Sequence, residues 1–172
     1  RVRGLHYRER MEHEVPLASL LRVDAVRAAA TTMSQTDAFR SASYVALHLR
    51  LALRTGEPAR VARALALEGA YRSIRGVGSA VESDGLFEQA LSLAEKTQNQ
   101  EVAAYVDLYR CLAALCTGRL RGAVTSARNA IDRFDRLGMG KVSETCSART
   151  YLCGALGFLG ELSEMSQAVA GR

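Results

Sequence analysis

Apolar residues recur along this chain at spacings of three and four, in blocks of helix length separated by polar or glycine-bearing joints. The first clear block covers 17–34, with Leu17, Leu20, Leu21, Val23 and Val26 apolar. The second covers 36–55. Its Phe39, Val45, Leu47, Leu49, Leu51 and Leu53 are too dense for one narrow face, which predicts a central helix. Further helices are predicted over 58–75, 80–97, 99–117, 119–137, 142–159 and 161–170. Ser79-Ala-Val-Glu82 reads as a capping box for the helix at 80–97, and Gly85 is a weak point within it. Gly138-Met-Gly140 is the clearest late loop. The stretch "RGVGSAVESDG" reads as a linker, because it follows a helix and lacks the lysine of a phosphate loop. Residues 1–16 are charged and mixed, and lead in to Pro16. No segment alternates with period two over strand length, so no sheet is expected.

The joints repeat one device. In "LHLRLALRTGEPARVARALALEGAY", Gly56 stands where a helix C′ glycine is expected and Pro58 where a first helical residue is. Gly118 in "ALCTGRLRGAV" and Gly160 in "GFLGELSEM" make similar corners. Repeated helix–corner–helix units are the signature of an α-solenoid. Tetratricopeptide repeats place a small residue seven before the corner glycine and an alanine five after it. Gly118 matches, with Cys111 and Ala123. Gly160 matches in part, with Cys153 but Met165. Gly56, with Leu49 and Val61, matches less well. The corners lie 62 and 42 residues apart, not a multiple of 34. The expected fold is all-α: a right-handed α-solenoid of antiparallel helix pairs, tetratricopeptide-like and degenerate, over 17–172.

Composition agrees with a helical domain. The 172 residues include only two prolines, and 48% are apolar. The net charge is +5, carried almost wholly by arginine, since only Lys96 and Lys141 are lysine. Arginine alternates with acidic residues ("RERMEHE", "AIDRFDR") instead of forming a basic stripe, which argues against nucleic acid as a partner. Cys111, Cys116, Cys146 and Cys153 form no C-x-x-C pair and have no histidine near them. All four read as small hydrophobes on apolar helical faces, which suits a reducing cytoplasm. No run of 18 apolar residues is present, so no membrane helix is expected. The chain opens with neither Met nor a signal peptide, and "AVAGR" ends within a predicted helix; both features read as those of a fragment.

Chemistry-bearing residues are scattered. His6, Glu9 and His13 do not have the H-E-x-x-H spacing that places two imidazoles on adjacent turns, and read as surface charge. His48 lies in an apolar helix and reads as a core residue. Asp132 and Asp135 alternate with Arg133 and Arg136, the pattern of a solvated face. No nucleophile is paired with an activating base, no metal set is assembled and no cofactor is implied. Binding is the expected use. If the first helix of each pair lines a concave face, that face carries Ser43, Arg50 and Arg54, then Tyr105 and Tyr109, then Ser147, Thr150 and Tyr151. Tyr and Arg are favoured at interfaces. Arg50 and Arg54 with the tyrosine pair would also suit an anionic small molecule.

Four segments, "RGLHYRERMEHEVPLASLLRVDAVR", "LALRTGEPARVARALALEGAY", "GRLRGAV" and "LGELSEM", resemble the C-terminal helical region of large bacterial serine/threonine kinases. In that family a kinase domain is followed by an AAA- or STAND-type ATPase and then by tetratricopeptide-like repeats. H-R-D, D-F-G and the Walker lysine are all absent here, so the resemblance transfers no catalytic residue. It implies a non-enzymatic docking or sensor module in signal transduction, with a protein or peptide partner that includes its own kinase and ATPase domains. An alternative resemblance is to the inducer-sensing arm of a LuxR- or MalT-like STAND regulator.

Overall fold

The computed structural model describes residues 5–34 and 36–169. Residues 1–4 of the lead-in and 170–172, where the last predicted helix was to end, lie outside that range. Eight α-helices follow in order: α1 Leu17–Met33, α2 Ala38–Thr55, α3 Pro58–Ser73, α4 Ala80–Lys96, α5 Gln100–Cys116, α6 Leu120–Leu137, α7 Val142–Leu159 and α8 Leu162–Val169. Single 3-10 turns at Glu12–Glu14, Val77–Ser79 and Met139–Lys141 complete the regular structure, and the described residues contain no strand.

Local chemistry sets the boundaries. Asp37 caps α2 by accepting the Arg40 amide at 3.0 Å, and Asn99 caps α5 by accepting the Val102 amide at 3.1 Å. At the "GEP" corner Gly56 is left-handed and ends α2, with its amide on the Ala52 carbonyl. Glu57 then turns its carboxylate onto the amides of Ala59 and Arg60, at 3.0 and 2.9 Å, and Pro58 opens α3. The expected capping box at Ser79 does not form. Ser79 closes the Val77–Ser79 turn, so its hydroxyl donates back to the Gly76 carbonyl at 2.7 Å, while Glu82 pairs with Arg75 at 2.8 Å.

The expectation that α2 is the central helix also fails. Its buried residues, Ser41, Val45, His48, Leu49, Ala52 and Thr55, form one stripe, and Phe39 is 90% exposed. The enclosed helices are α3 and α5; in α5, eleven of seventeen residues are buried. Each helix packs on its sequence neighbours, and α3 also packs on α5, and α5 on α7. Two helical faces must then be apolar. The fully buried alanines 62, 64, 66 and 70 of α3 let its neighbours approach closely. The largest fully buried side chains, Phe87, Phe134, Leu65 and Leu156, fill what the alanines leave.

The lead-in is fastened down over residues 5–16. The Arg10 amide bonds the Gly56 carbonyl, Glu9 pairs with Lys96 at 2.7 Å, and Val15 is buried. Arg60 joins the first part of the chain to α3. It holds both oxygens of Asp24 and also reaches Glu12 and Glu57, each at 3.1 Å.

Candidate functional site

A groove of about 460 Å³ is bordered by α1, α3, α5 and α7. Helical spacing places its lining. Arg27 and Thr31 come from α1, and Leu67 and Tyr71 from α3. The floor is Tyr105, Leu108, Tyr109 and Leu112 of α5, and the far wall is Ser143, Glu144, Ser147 and Tyr151 of α7.

Tyr105 organises the inner end. Its ring stacks on Tyr109, with centroids 6.2 Å apart, and meets Phe134 edge-on at 5.4 Å. Its hydroxyl donates to Glu144 at 2.6 Å. Burial, reinforced by that carboxylate, holds the hydroxyl far above the usual tyrosine range. The Arg27 guanidinium lies 5.4 Å from the ring centroid and the Lys141 ammonium 5.8 Å. Burial pushes Tyr109 up to about 12 and raises Tyr151 as well, so both are neutral hydroxyls near neutral pH. Tyr71 donates to Ser41 Oγ, whose own proton goes to the Ala30 carbonyl at 2.7 Å.

The charges at this end are unevenly matched. Glu101 takes Lys141 at 2.7 Å and faces Arg63 at 3.8 Å. Burial alone would raise its carboxyl, but the Lys141 hydrogen bond and the charges of Arg63, Lys141 and Arg27 outweigh that and lower it. His48 of α2 is 1% exposed and its Nδ1 has no partner among the described residues. Burial, then the charges of Arg27 and Arg63, bring it down to about 4. Arg27 itself makes no ion pair among the described residues, and its Nε is buried without an acceptor.

Four of the sequence-predicted binding residues, Tyr105, Tyr109, Ser147 and Tyr151, line this groove. The other four do not. Thr150 is exposed and bonds the Cys146 carbonyl at 2.9 Å, and Ser43 is exposed and bonds that of Phe39 at 3.2 Å. Arg50 is exposed outside the groove. Arg54 lines a different hollow of about 180 Å³, formed with Arg10, Val15 and Arg22. Thr150 is on α7 but off its groove-lining face; for Ser43, Arg50 and Arg54 the reason is an offset in which helices border the groove. Gly118 and Gly160 each follow a helix that borders the groove, whereas Gly56 follows α2, which contributes only its first residue, Ala38, to the lining. The 62-residue spacing between Gly56 and Gly118 is about one and a half times the 42 residues between Gly118 and Gly160. Read with that offset, α1 takes the place assigned to α2, and Arg27 replaces the α2 arginines. The signal was present: Arg27 is the sole charged residue between Asp24 and Asp37.

His6 and His13 are exposed, and no group of three or more His, Cys, Asp or Glu side chains among the described residues could hold a metal ion. Only Cys111 has the buried apolar setting expected of all four cysteines; burial pushes its thiol up to about 12. Cys116 and Cys146 are exposed and Cys153 is half-buried, because each falls on the outer edge of its helix. Asp132 pairs with Arg136 at 2.8 Å on an exposed face. A second cleft, about 560 Å³ between α6, α7 and α8, has paired charges, with Arg128 on Glu164 and Arg149 near Asp135. It lacks the unmatched cation and the aromatic floor of the first. No helix of the described residues is long and apolar enough to cross a membrane.

Comparison with protein-family models, with curated proteins and with solved structures found no match to this chain.

Proposed function

We propose that the chain is a non-enzymatic helical-repeat interaction module, a degenerate tetratricopeptide-like right-handed α-solenoid whose working surface is the groove. The observation that carries this reading is the skip-one packing of α3 on α5 and α5 on α7, which lines up alternate helices along one apolar, tyrosine-rich surface. A preformed surface of this kind binds with little ordering cost to itself. The sequence resemblance supplies the setting: the C-terminal region of a bacterial serine/threonine kinase with an ATPase domain, where occupancy of the groove regulates the catalytic domains. The unmatched Arg27 also favours the sensor version of this role, as in the LuxR- or MalT-like regulators.

The reading frame on the Arg1 side tests the setting. H-R-D and D-F-G segments followed by a G-x-x-x-x-G-K-[ST] loop support it, and an unrelated domain there removes it. In the parent protein, Leu112→Arg in the groove is expected to change phosphotransfer or ATP turnover several-fold, and Val81→Arg, at an 86% exposed position outside the groove, to leave them unchanged. Equal responses to the two substitutions would remove the groove from the mechanism.

A further inference from the structure

Arg27 is the groove cation without a salt bridge among the described residues, although it lies near enough to Glu101 to help lower that carboxyl. Three cations, Arg27, Arg63 and Lys141, gather about the inner end of the groove. Glu101 is engaged by Lys141 and Arg63, and Glu144 by the Tyr105 hydroxyl. Asp24, three residues before Arg27 on α1, has both oxygens held by Arg60. Arg27 is left with its Nε buried and unpartnered and its guanidinium 5.4 Å from the centroid of the Tyr105 ring. Leaving a guanidinium partly desolvated and unpaired is unfavourable, so a carboxylate arriving there gains a charge-assisted contact and relieves that burial.

The rest of the groove specifies the remainder of the ligand. Leu67 of α3, with Leu108 and Leu112 of the floor, gives the groove an aliphatic surface that it shares with the ring of Tyr151. The hydroxyls of Tyr109 and Tyr151 have no hydrogen bond among the described residues. As neutral hydroxyls they can donate to a carboxylate oxygen. Glu144, on the same wall, disfavours a second negative charge and so favours a monoanion over a phosphate dianion. The volume, about 460 Å³, lies within the range of small-molecule sites.

We infer that the groove binds a small apolar monocarboxylic acid, with the carboxylate on Arg27 and an aliphatic or aromatic body against Leu67, Leu108, Leu112 and Tyr151. This rests on the groove being the working surface. It makes the chain a sensor of amphipathic acids, with Arg27 as the residue that distinguishes an acid from its neutral analogue.

Tyrosine supplies the readout. The chain has six tyrosines and no tryptophan, and Tyr71, Tyr105, Tyr109 and Tyr151 line the groove. Octanoate and 4-phenylbutyrate, each beside its primary amide, would be titrated while near-ultraviolet circular dichroism is followed. Saturable binding of the acids is expected, with the amides at least tenfold weaker. Arg27→Gln should bring the acids down to the level of the amides and leave the amides unchanged, and Arg27→Lys should fall between. Far-ultraviolet spectra check that the variants fold, and the acid–amide comparison on the unaltered chain stands even if one does not. Acids and amides binding within twofold of each other, or neither binding saturably, overturns the inference. An acid preference that survives in a folded Arg27→Gln variant overturns the assignment to Arg27. If the acids fail while Leu112→Arg still alters the parent's turnover, the groove reading stands and only the ligand class falls.

Discussion

The Arg10 amide donates to the Gly56 carbonyl at 3.0 Å, so the lead-in lies directly on the corner between α2 and α3. Gly56 therefore has two duties. It supplies a left-handed turn at φ +72°, and it leaves room for the backbone of Arg8, whose carbonyl oxygen a Cβ would strike. Gly160 has the first duty alone: φ is +77° and nothing lies within 4 Å of an added Cβ. Gly160→Ala should cost about 1 kcal/mol, the left-handed penalty. Gly56→Ala should cost about 3 kcal/mol, because the lead-in must also move. Urea unfolding measures both. Limited trypsin digestion should cut at Arg8 and Arg10 faster in the Gly56 variant only.

Arg60 fastens the same region from the other side. Its guanidinium serves Asp24, Glu12 and Glu57 at once, with its side chain 13% exposed. Arg60→Ala would leave these three carboxylates facing one another. The expected loss is about 2 kcal/mol, below the range for fully buried pairs because Glu12 is largely in water. Arg60→Lys should recover only part of it, since an ammonium cannot hold both Asp24 oxygens as a planar fork does. Chemical denaturation of the two variants gives the comparison, and equal stability of wild type and Arg60→Ala would show the cluster to be ornamental.

A helix-interior glycine ordinarily gains from replacement by alanine, by up to about 1 kcal/mol. Gly69 should do the reverse. It is buried on α3, and a Cβ there would sit 3.1–3.3 Å from three ring atoms of Phe87, itself 1% exposed. Overpacking of this kind typically costs about 1–3 kcal/mol. Gly69→Ala is expected to lower the melting temperature by several degrees. Gly85→Ala on α4, where an added Cβ meets nothing within 4 Å, should raise it.

His48 makes stability depend on pH. It titrates at about 6.5 when unfolded and about 4 when folded, chiefly because it is buried and secondarily because Arg27 and Arg63 are near. The unfolded chain thus takes up this proton first as the pH falls. The contribution is complete above pH 6.5 and is lost on descent from 6.5 to 4, by about 3 kcal/mol. Urea midpoints at pH 7.5 and 4.5 should differ more in the wild type than in His48→Gln. An identical difference in the two proteins would remove His48 as the source.

Helix positions were legible in the sequence where an end carries its own local chemistry: Asp37, Gly56, Pro58, Asn99, Gly118 and Gly160 act on backbone groups only a few residues away. The Ser79 cap failed where a 3-10 turn, invisible in residue spacing, claimed the hydroxyl first. The groove was legible by half. Tyr105, Tyr109, Ser147 and Tyr151 follow from corners that lie in phase, whereas Ser43, Arg50 and Arg54 depended on Gly56 being in phase with them. That phase is fixed by which of α1 and α2 faces α5, a contact between residues far apart in the chain. No local pattern reports it, and Arg27 was missed for the same reason.

The enclosure of α5 has a mechanical consequence. Eleven of its residues are buried, against three in α1, four in α7 and none in α8. Its amide hydrogens should be the last to exchange with heavy water and those of α8 among the first, with the two flanking helices between. The groove therefore has a floor that holds its shape until the whole molecule opens, and sides that yield at lower free energy. The sides that yield first are the ones that carry Arg27, on α1, and Tyr151, on α7.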